Sequence, residues 1–194
     1  MKGFDILRKL VEINKPYYTI PDLEKITGLS RKALYVTLNR WVGMKVLERI
    51  GKGLYVPFGK EISVELVASQ IYFPSYLSFE SALARYGILN LVPYTLTFAT
   101  TRKTRRYTIS GTDVEFRQIK REFFWGFTTE SGIYLAEKEK AFLDQLYFVY
   151  KGMASIDKDE ITLTSLSKKK ILLYSKKYPK NVQKLLSRYI PATK

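Results

Sequence analysis

The punctuation of the first sixty residues constrains this chain more than any other feature. Two glycine-bearing breaks, Gly28-Leu29-Ser30 and Gly51-Lys52-Gly53, separate segments of helical and strand periodicity. Glycine supplies the backbone conformations that abrupt reversals require. Before the first break, Phe4, Leu7, Leu10 and Val11 recur at helical spacing and predict a helix that ends at Asn14-Lys15-Pro16. A short second helix follows, with Thr19 or Ile20 at its cap, Pro21 in its first turn, Leu23 and Ile26 facing inward and Gly28 as its stop. Ser30 then caps a third helix, SRKALYVTLNRW. Stepping around it at about 100° per residue places Ala33, Leu34, Thr37, Leu38 and Trp41 on one face. Arg31, Lys32, Tyr35, Val36, Asn39 and Arg40 fall on the other. The runs 46–50 and 54–57 read as strands on either side of the second glycine turn.

Helix, helix, glycine turn, capped helix and glycine-tipped hairpin, in that order, predict a winged helix-turn-helix over residues 1–59. The polar face of the third helix has the composition of a recognition helix. Arg and Lys reach phosphate or guanine, Asn pairs with adenine, Tyr bonds phosphate, and Val touches the thymine methyl. Residues near a recognition helix's N-terminus reach deepest, which puts Arg31, Lys32 and Tyr35 first. Lys52, at the hairpin tip, is placed to meet a phosphate or enter the minor groove, with Arg49 as a second candidate. The expected partner is double-stranded operator DNA.

Composition supports a polyanion partner and removes several chemistries. The 194 residues carry a net charge of +15 and contain neither Cys nor His. Disulfides, thiolate nucleophiles, imidazole bases and nearly all zinc sites are thereby excluded, no cofactor or metal is expected, and a cytoplasmic location suits the chain. The charge is uneven: eleven basic against five acidic residues over 1–59, thirteen against thirteen over 60–160, and nine against none over 161–194. A basic face attracts polyanions through its summed field. The opening MKGFDILRKLVEIN carries Asp5, Arg8, Lys9 and Glu12 and does not form the apolar core of a signal peptide. The 16 uncharged residues from Tyr86 to Thr101 are broken by Asn90 and Pro93, so no membrane span is expected.

Residues 60–194 are expected to form a second, mixed α/β domain with a small antiparallel sheet and a helical C-terminus, giving an α+β chain overall. Helices are predicted at 63–72, from Ser78, and over 136–150, and strands at 94–101, 106–110 and 114–120. Gly111-Thr112-Asp113 is read as the hairpin turn. Arg102, Lys103, Arg105 and Arg106 crowd into five positions as a solvated turn or an anion site, and the aromatics of 123–127 read as core. The basic tail, 161–194, predicts helices at 162–176 and 179–189. Lys168, Lys169 and Lys170 are its densest cationic run.

Four blocks in this region resemble the AbiEi antitoxins of type IV toxin–antitoxin systems, which occur in bacterial abortive-infection operons. They are Leu77-Ser78-Phe79-Glu80-Ser81-Ala82-Leu83 followed by Tyr86-Gly87, the strand ending Ala99-Thr100-Thr101-Arg102, the aromatics Phe123 to Phe127, and the run from Leu135 to Asp144. The blocks keep the family's order downstream of the predicted winged helix, and the resemblance covers most of residues 1–150. It implies an N-terminal domain that represses its own operon and a C-terminal antitoxin domain that counters a nucleotidyltransferase-like toxin, without catalysis of its own. Ser78, Ser81, Arg102, Glu139, Lys140 and Asp144 stand at motif positions, and with the other cations of 102–106 and Lys168 to Lys170 they make the candidate antitoxin or anion-binding surface. Each has a structural alternative: Ser78 as a helix cap with Ser81 in the first turn, and Lys140 with Asp144 as an i,i+4 pair. Two other functions fit parts of the chain. One is a one-component regulator whose middle domain senses a small molecule. The other is a nuclease or phosphotransferase using Asp113, Glu115 and Lys120 around Mg²⁺, although their spacing is poor and Gly51-Lys52-Gly53 is too short for a phosphate loop.

Overall fold

A computed structural model describes residues 3–190, so the first two residues and the last four of the basic tail lie outside it. The chain is mixed α+β and divides into two compact units. One comprises residues 3–68 with 107–112, and the other 69–106 with 113–190.

The first unit begins with α1 (Gly3–Ile13), β1 (Tyr18–Thr19), α2 (Ile20–Thr27) and α3 (Arg31–Gly43), followed by β2 (Leu47–Gly51) and β3 (Leu54–Pro57). The strands form a small antiparallel sheet in the order β1-β3-β2. Helix α2 starts at a capping box: the Asp22 N–H donates to Thr19 Oγ1 (3.3 Å) and the Thr19 N–H donates to Asp22 Oδ2 (2.9 Å). It stops at Gly28, whose φ of 70° only glycine adopts without strain. Ser30 holds the cap position of α3, but its side chain makes no capping bond; its carbonyl accepts from the Leu34 N–H (2.8 Å). The core joins Ile6, Leu10, Tyr18, Leu23, Leu34, Leu38, Trp41 and Leu47. In α1 the buried stripe is Ile6 and Leu10, while Phe4 and Val11 are exposed. Both sets satisfy helical spacing, and contact with the rest of this core selects between them.

Strand β1 is a correction: two residues carry no periodic signal, yet they pair Tyr18 with Tyr55 and Thr19 with Leu54. The hairpin turn is also tighter than expected. Only Gly53 takes a positive φ (72°), whereas Gly51 is needed for close approach, because a Cβ there would lie 3.2 Å from the Thr108 carbonyl oxygen.

A six-stranded mixed sheet takes the place of the small antiparallel one expected, with all of it in the second unit except the stretch 107–112. Its strands are β4 (Ser75–Leu77), β5 (Thr95–Thr100), β6 (Arg105–Ile109), β7 (Thr112–Gln118), β8 (Phe127–Glu130) and β9 (Ile133–Ala136), in the order β6-β7-β5-β4-β9-β8. The pairs β4–β5 and β8–β9 are antiparallel, and β5–β7 and β4–β9 are parallel. Two Ser-Gly turns punctuate it. Ser110 and Gly111 have φ of 47° and 78°, and Ser131 and Gly132 have 50° and 79°, so the first hairpin turns one residue earlier than the sequence suggested. The helices of the second unit are α5 (Phe79–Arg85), α6 (Lys138–Tyr150), α7 (Lys168–Ser175) and α8 (Lys180–Leu186); α4 (Val64–Ile71) spans the boundary between the units. Helix α6 packs against α5, α7 and α8, and Glu139 to Phe148 are all buried. Among the described residues, no helix is long and apolar enough to cross a membrane.

Asp22 anchors the start of α2 and also pairs with Lys15 (2.6 Å). Burial pushes its carboxyl upward, but the bonds from Lys15 and Thr19 outweigh that and hold it below its ordinary value. A carboxyl depressed in the folded state stabilises above the unfolded value of 3.8 and loses that contribution as pH falls through the folded one. Asp22→Ala should therefore cost about 1 kcal/mol at neutral pH, and the deficit should shrink below pH ~4, as read by urea unfolding across pH.

Candidate nucleic-acid interface

Helix α3 sorts its side chains into two environments. Leu34, Leu38 and Trp41 are buried, and Arg31, Lys32, Tyr35, Val36, Asn39 and Arg40 are all exposed. Ala33, assigned to the inner face, is exposed, and Thr37 is half-buried. Two exposed residues are large and apolar: Val36 keeps 71% of its surface accessible and Tyr35 49%. Neither is explained by packing, and both can touch a base edge or a sugar. Arg31 is steadied from α2, its Nε donating to Glu24 Oε1 (3.2 Å). In the β2–β3 hairpin Arg49 and Lys52 are exposed, and Arg49 Nε donates to the Gly51 carbonyl (3.3 Å). Lys45 was not singled out from the sequence. It follows α3 at φ 53°, exposed, with its Nζ 5.7 Å from the centre of the Phe58 ring. Its signal is a lone lysine, which composition does not distinguish from any other.

The candidate surface of the second unit is not one surface. Ser78, Ser81, Glu139, Lys140 and Asp144 are buried, and this corrects their assignment to a contact face. Ser78, Ser81, Lys140 and Asp144 belong to two internal networks, and Glu139 makes contacts of its own. In the first, Lys140 Nζ forms an ion pair with Asp144 Oδ1 one helical turn away and donates to Tyr76 Oη (2.8 Å). Asp144 also accepts from the Tyr76 hydroxyl (2.9 Å), the Ser78 hydroxyl (2.9 Å) and the Tyr178 hydroxyl (2.8 Å). The rings of Tyr76, Trp125 and Tyr178 lie 5.3, 5.3 and 5.5 Å from the ammonium, within cation–π range. Burial lowers the pKa of Lys140, an effect that Asp144 opposes, and burial together with the Asp144 charge pushes both phenols well up. Both phenols therefore remain donors at neutral pH. Ser78 stands at the cap of α5 but spends its hydroxyl on Asp144 and makes no capping bond.

In the second network, Ser81 and Thr97 tie α5 to β5: the Thr97 N–H donates to Ser81 Oγ (2.8 Å) and the Thr97 hydroxyl donates to the Ser78 carbonyl (2.9 Å). Glu139 accepts from the Ser167 N–H (2.9 Å) and faces Lys170 Nζ at 3.6 Å. Lys170 is also paired with Glu137 (3.3 Å).

The basic run 102–106 is exposed but partly neutralised. Arg102 lies 4.2 Å from the centre of the Tyr72 ring and donates to the Phe73 carbonyl (3.2 Å). Arg106 chelates Glu115 Oε1 through Nε (2.9 Å) and Nη2 (2.7 Å). Lys103 and Arg105 are exposed within the same run; on α7, Lys169 is exposed and Lys168 is half-buried. Glu115 is committed on both oxygens, because Oε2 accepts from Arg117 Nε (2.8 Å). The grouping of Asp113, Glu115 and Lys120 thus has its central carboxylate engaged by two guanidinium groups, and no group of three or more potential metal ligands occurs among the described residues.

Buried charges penalise loss of a partner strongly. Asp144→Asn, which strands the ammonium, should destabilise by about 3–5 kcal/mol. Lys140→Met should cost less, because three hydroxyls still solvate the carboxylate; urea unfolding of both variants checks that order.

No family model matches the sequence, and no curated protein is significantly similar to it.

Proposed function

We propose that the helices and hairpin of the first unit form a winged helix-turn-helix that binds double-stranded DNA. In this account α3 enters the major groove as the recognition helix and the β2–β3 hairpin is the wing. The observation that carries it is the two-sided sorting of α3. All six side chains assigned to the outer face are exposed, they include three cations, Asn39 and two large apolar groups, and Leu34, Leu38 and Trp41 root the helix on the opposite side. An exposed Val and Tyr among Arg, Lys and Asn suit base edges better than they suit water. The net charge of +15 adds the long-range attraction on which DNA association depends.

We further propose, on the four AbiEi-like blocks, that the protein is an autorepressor and antitoxin of that type, acting in the cytoplasm without catalysis. Its operator would lie upstream of its own gene, and its counterpart would be a nucleotidyltransferase-like toxin. In this account Ser78, Ser81, Glu139, Lys140 and Asp144 act as interior supports, and the surface that counters the toxin comprises exposed groups such as Lys103, Arg105 and Lys169.

Binding of the full-length protein to the duplex upstream of its gene, followed by fluorescence anisotropy at several salt concentrations, tests the DNA role. Arg31→Ala should cost about 1–3 kcal/mol on the preferred site and narrow the gap to unrelated DNA. Lys52→Ala should weaken binding to all sequences alike and reduce the salt slope by about one. Coexpression with the neighbouring gene tests the antitoxin role, with relief of that gene's toxicity as the expected outcome.

A further inference from the structure

The second unit contains a cavity whose chemistry is opposite to that of the chain around it. It measures about 500 Å³, within the range of small-molecule sites, and is walled by apolar side chains including Leu83, Leu89 and Ile156. Its polar lining comes from Glu80, Tyr94, Gln145, Ser155 and Glu160, and no Lys, Arg or other cation contributes. In a protein of charge +15, a largely apolar pocket whose charged lining residues are both carboxylates is a local reversal of sign.

Gln145 is 99% buried, and its two ends have different fates. The amide nitrogen donates to Glu80 Oε1 (3.0 Å) and to the Ser155 carbonyl (3.1 Å), which fixes the side chain's orientation. The carbonyl oxygen Oε1 is buried and has no hydrogen-bond partner among the described residues. Such an acceptor is expensive to leave unpaired, and a donor brought to it recovers that penalty. Glu80 is engaged on both oxygens and its charge is balanced, since its Oε2 pairs with Arg117 Nη1 (2.7 Å). The exposed Glu160 uses its main-chain carbonyl to hold the Asn90 N–H (2.9 Å), and its carboxylate has no ion-pair partner among the described residues.

We propose that this cavity is a binding site for a small apolar amine, with the hydrocarbon or aromatic body against Leu83, Leu89 and Ile156, an N–H on Gln145 Oε1 and the positive charge balanced by Glu160. The site lies within the second unit and does not depend on the DNA-binding proposal. A failure to bind DNA would leave it untouched, and the reverse is also true.

Two probes that share an indole ring and differ in charge test it: tryptamine and indole-3-propionate, titrated calorimetrically into the full-length protein. Tryptamine should bind one to one and roughly tenfold more tightly than the acid, although the net charge of the protein favours the anion. Glu160→Gln changes an exposed side chain and keeps the main-chain bond to Asn90; it should weaken tryptamine about threefold or more. Ile156→Trp, which fills the cavity, should abolish binding while the thermal midpoint stays near that of the parent. Equal or tighter binding of the acid, no saturable tryptamine binding, or affinity unchanged in Glu160→Gln would each overturn the assignment.

Discussion

An ammonium group shut away from water organises the second unit. A buried lysine persists only where charge, hydrogen bonds and polarisable rings replace its hydration, and Lys140 has all three: Asp144, the Tyr76 hydroxyl, and the faces of Tyr76, Trp125 and Tyr178. Asp144 lies one turn along the same helix, and the groups that hold the pair come from other parts of the fold. Tyr76 lies on β4, Ser78 opens α5, Trp125 lies in the aromatic segment, and Tyr178 sits between α7 and α8. Satisfying one charge therefore fixes where a central strand, two helix ends and an aromatic loop must stand. This explains how α6, with Glu139, Lys140, Asp144 and Gln145 among its residues, is buried from Glu139 to Phe148 when a helix enclosed on all sides is ordinarily apolar.

The first unit follows the opposite economy. Its core is apolar, with Tyr18 donating to the Leu10 carbonyl as a buried polar bond, and its charged residues face outward. Where the second unit uses charge to hold itself together, the first leaves charge exposed on α3 and the β2–β3 hairpin, available to an outside partner. An interior lysine costs too much to disturb for a binding event, whereas an exposed arginine steadied by Glu24 loses little when it meets a phosphate.

What was legible in the sequence follows from this division. The α3 helix could be read side by side because its apolar residues hold one register between a glycine stop and a glycine hairpin. The register of α1 could not, because Phe4 and Val11 keep helical spacing with Leu10 as well as Ile6 does, and Leu10 with Ile6 is the pair that is buried. Strands β4, β8 and β9, of three or four residues, are too short to display alternation, although Ser131-Gly132 marks the turn between the last two. Ser78, Lys140 and Asp144 stood out as residues, and the i,i+4 pairing of the last two was foreseeable. Their burial was not, since charge in a sequence reads as surface and only the long-range partners Tyr76 and Tyr178 make an interior lysine tenable.

The most direct test of the account replaces Tyr35 with a photocrosslinking phenylalanine and irradiates the full-length protein with duplex DNA from upstream of its gene. The account predicts a covalent adduct from position 35, on the exposed face of α3, and none from an equivalent substitution at Leu173, which is also exposed but lies on α7. Adducts from position 173 without any from position 35 would contradict it.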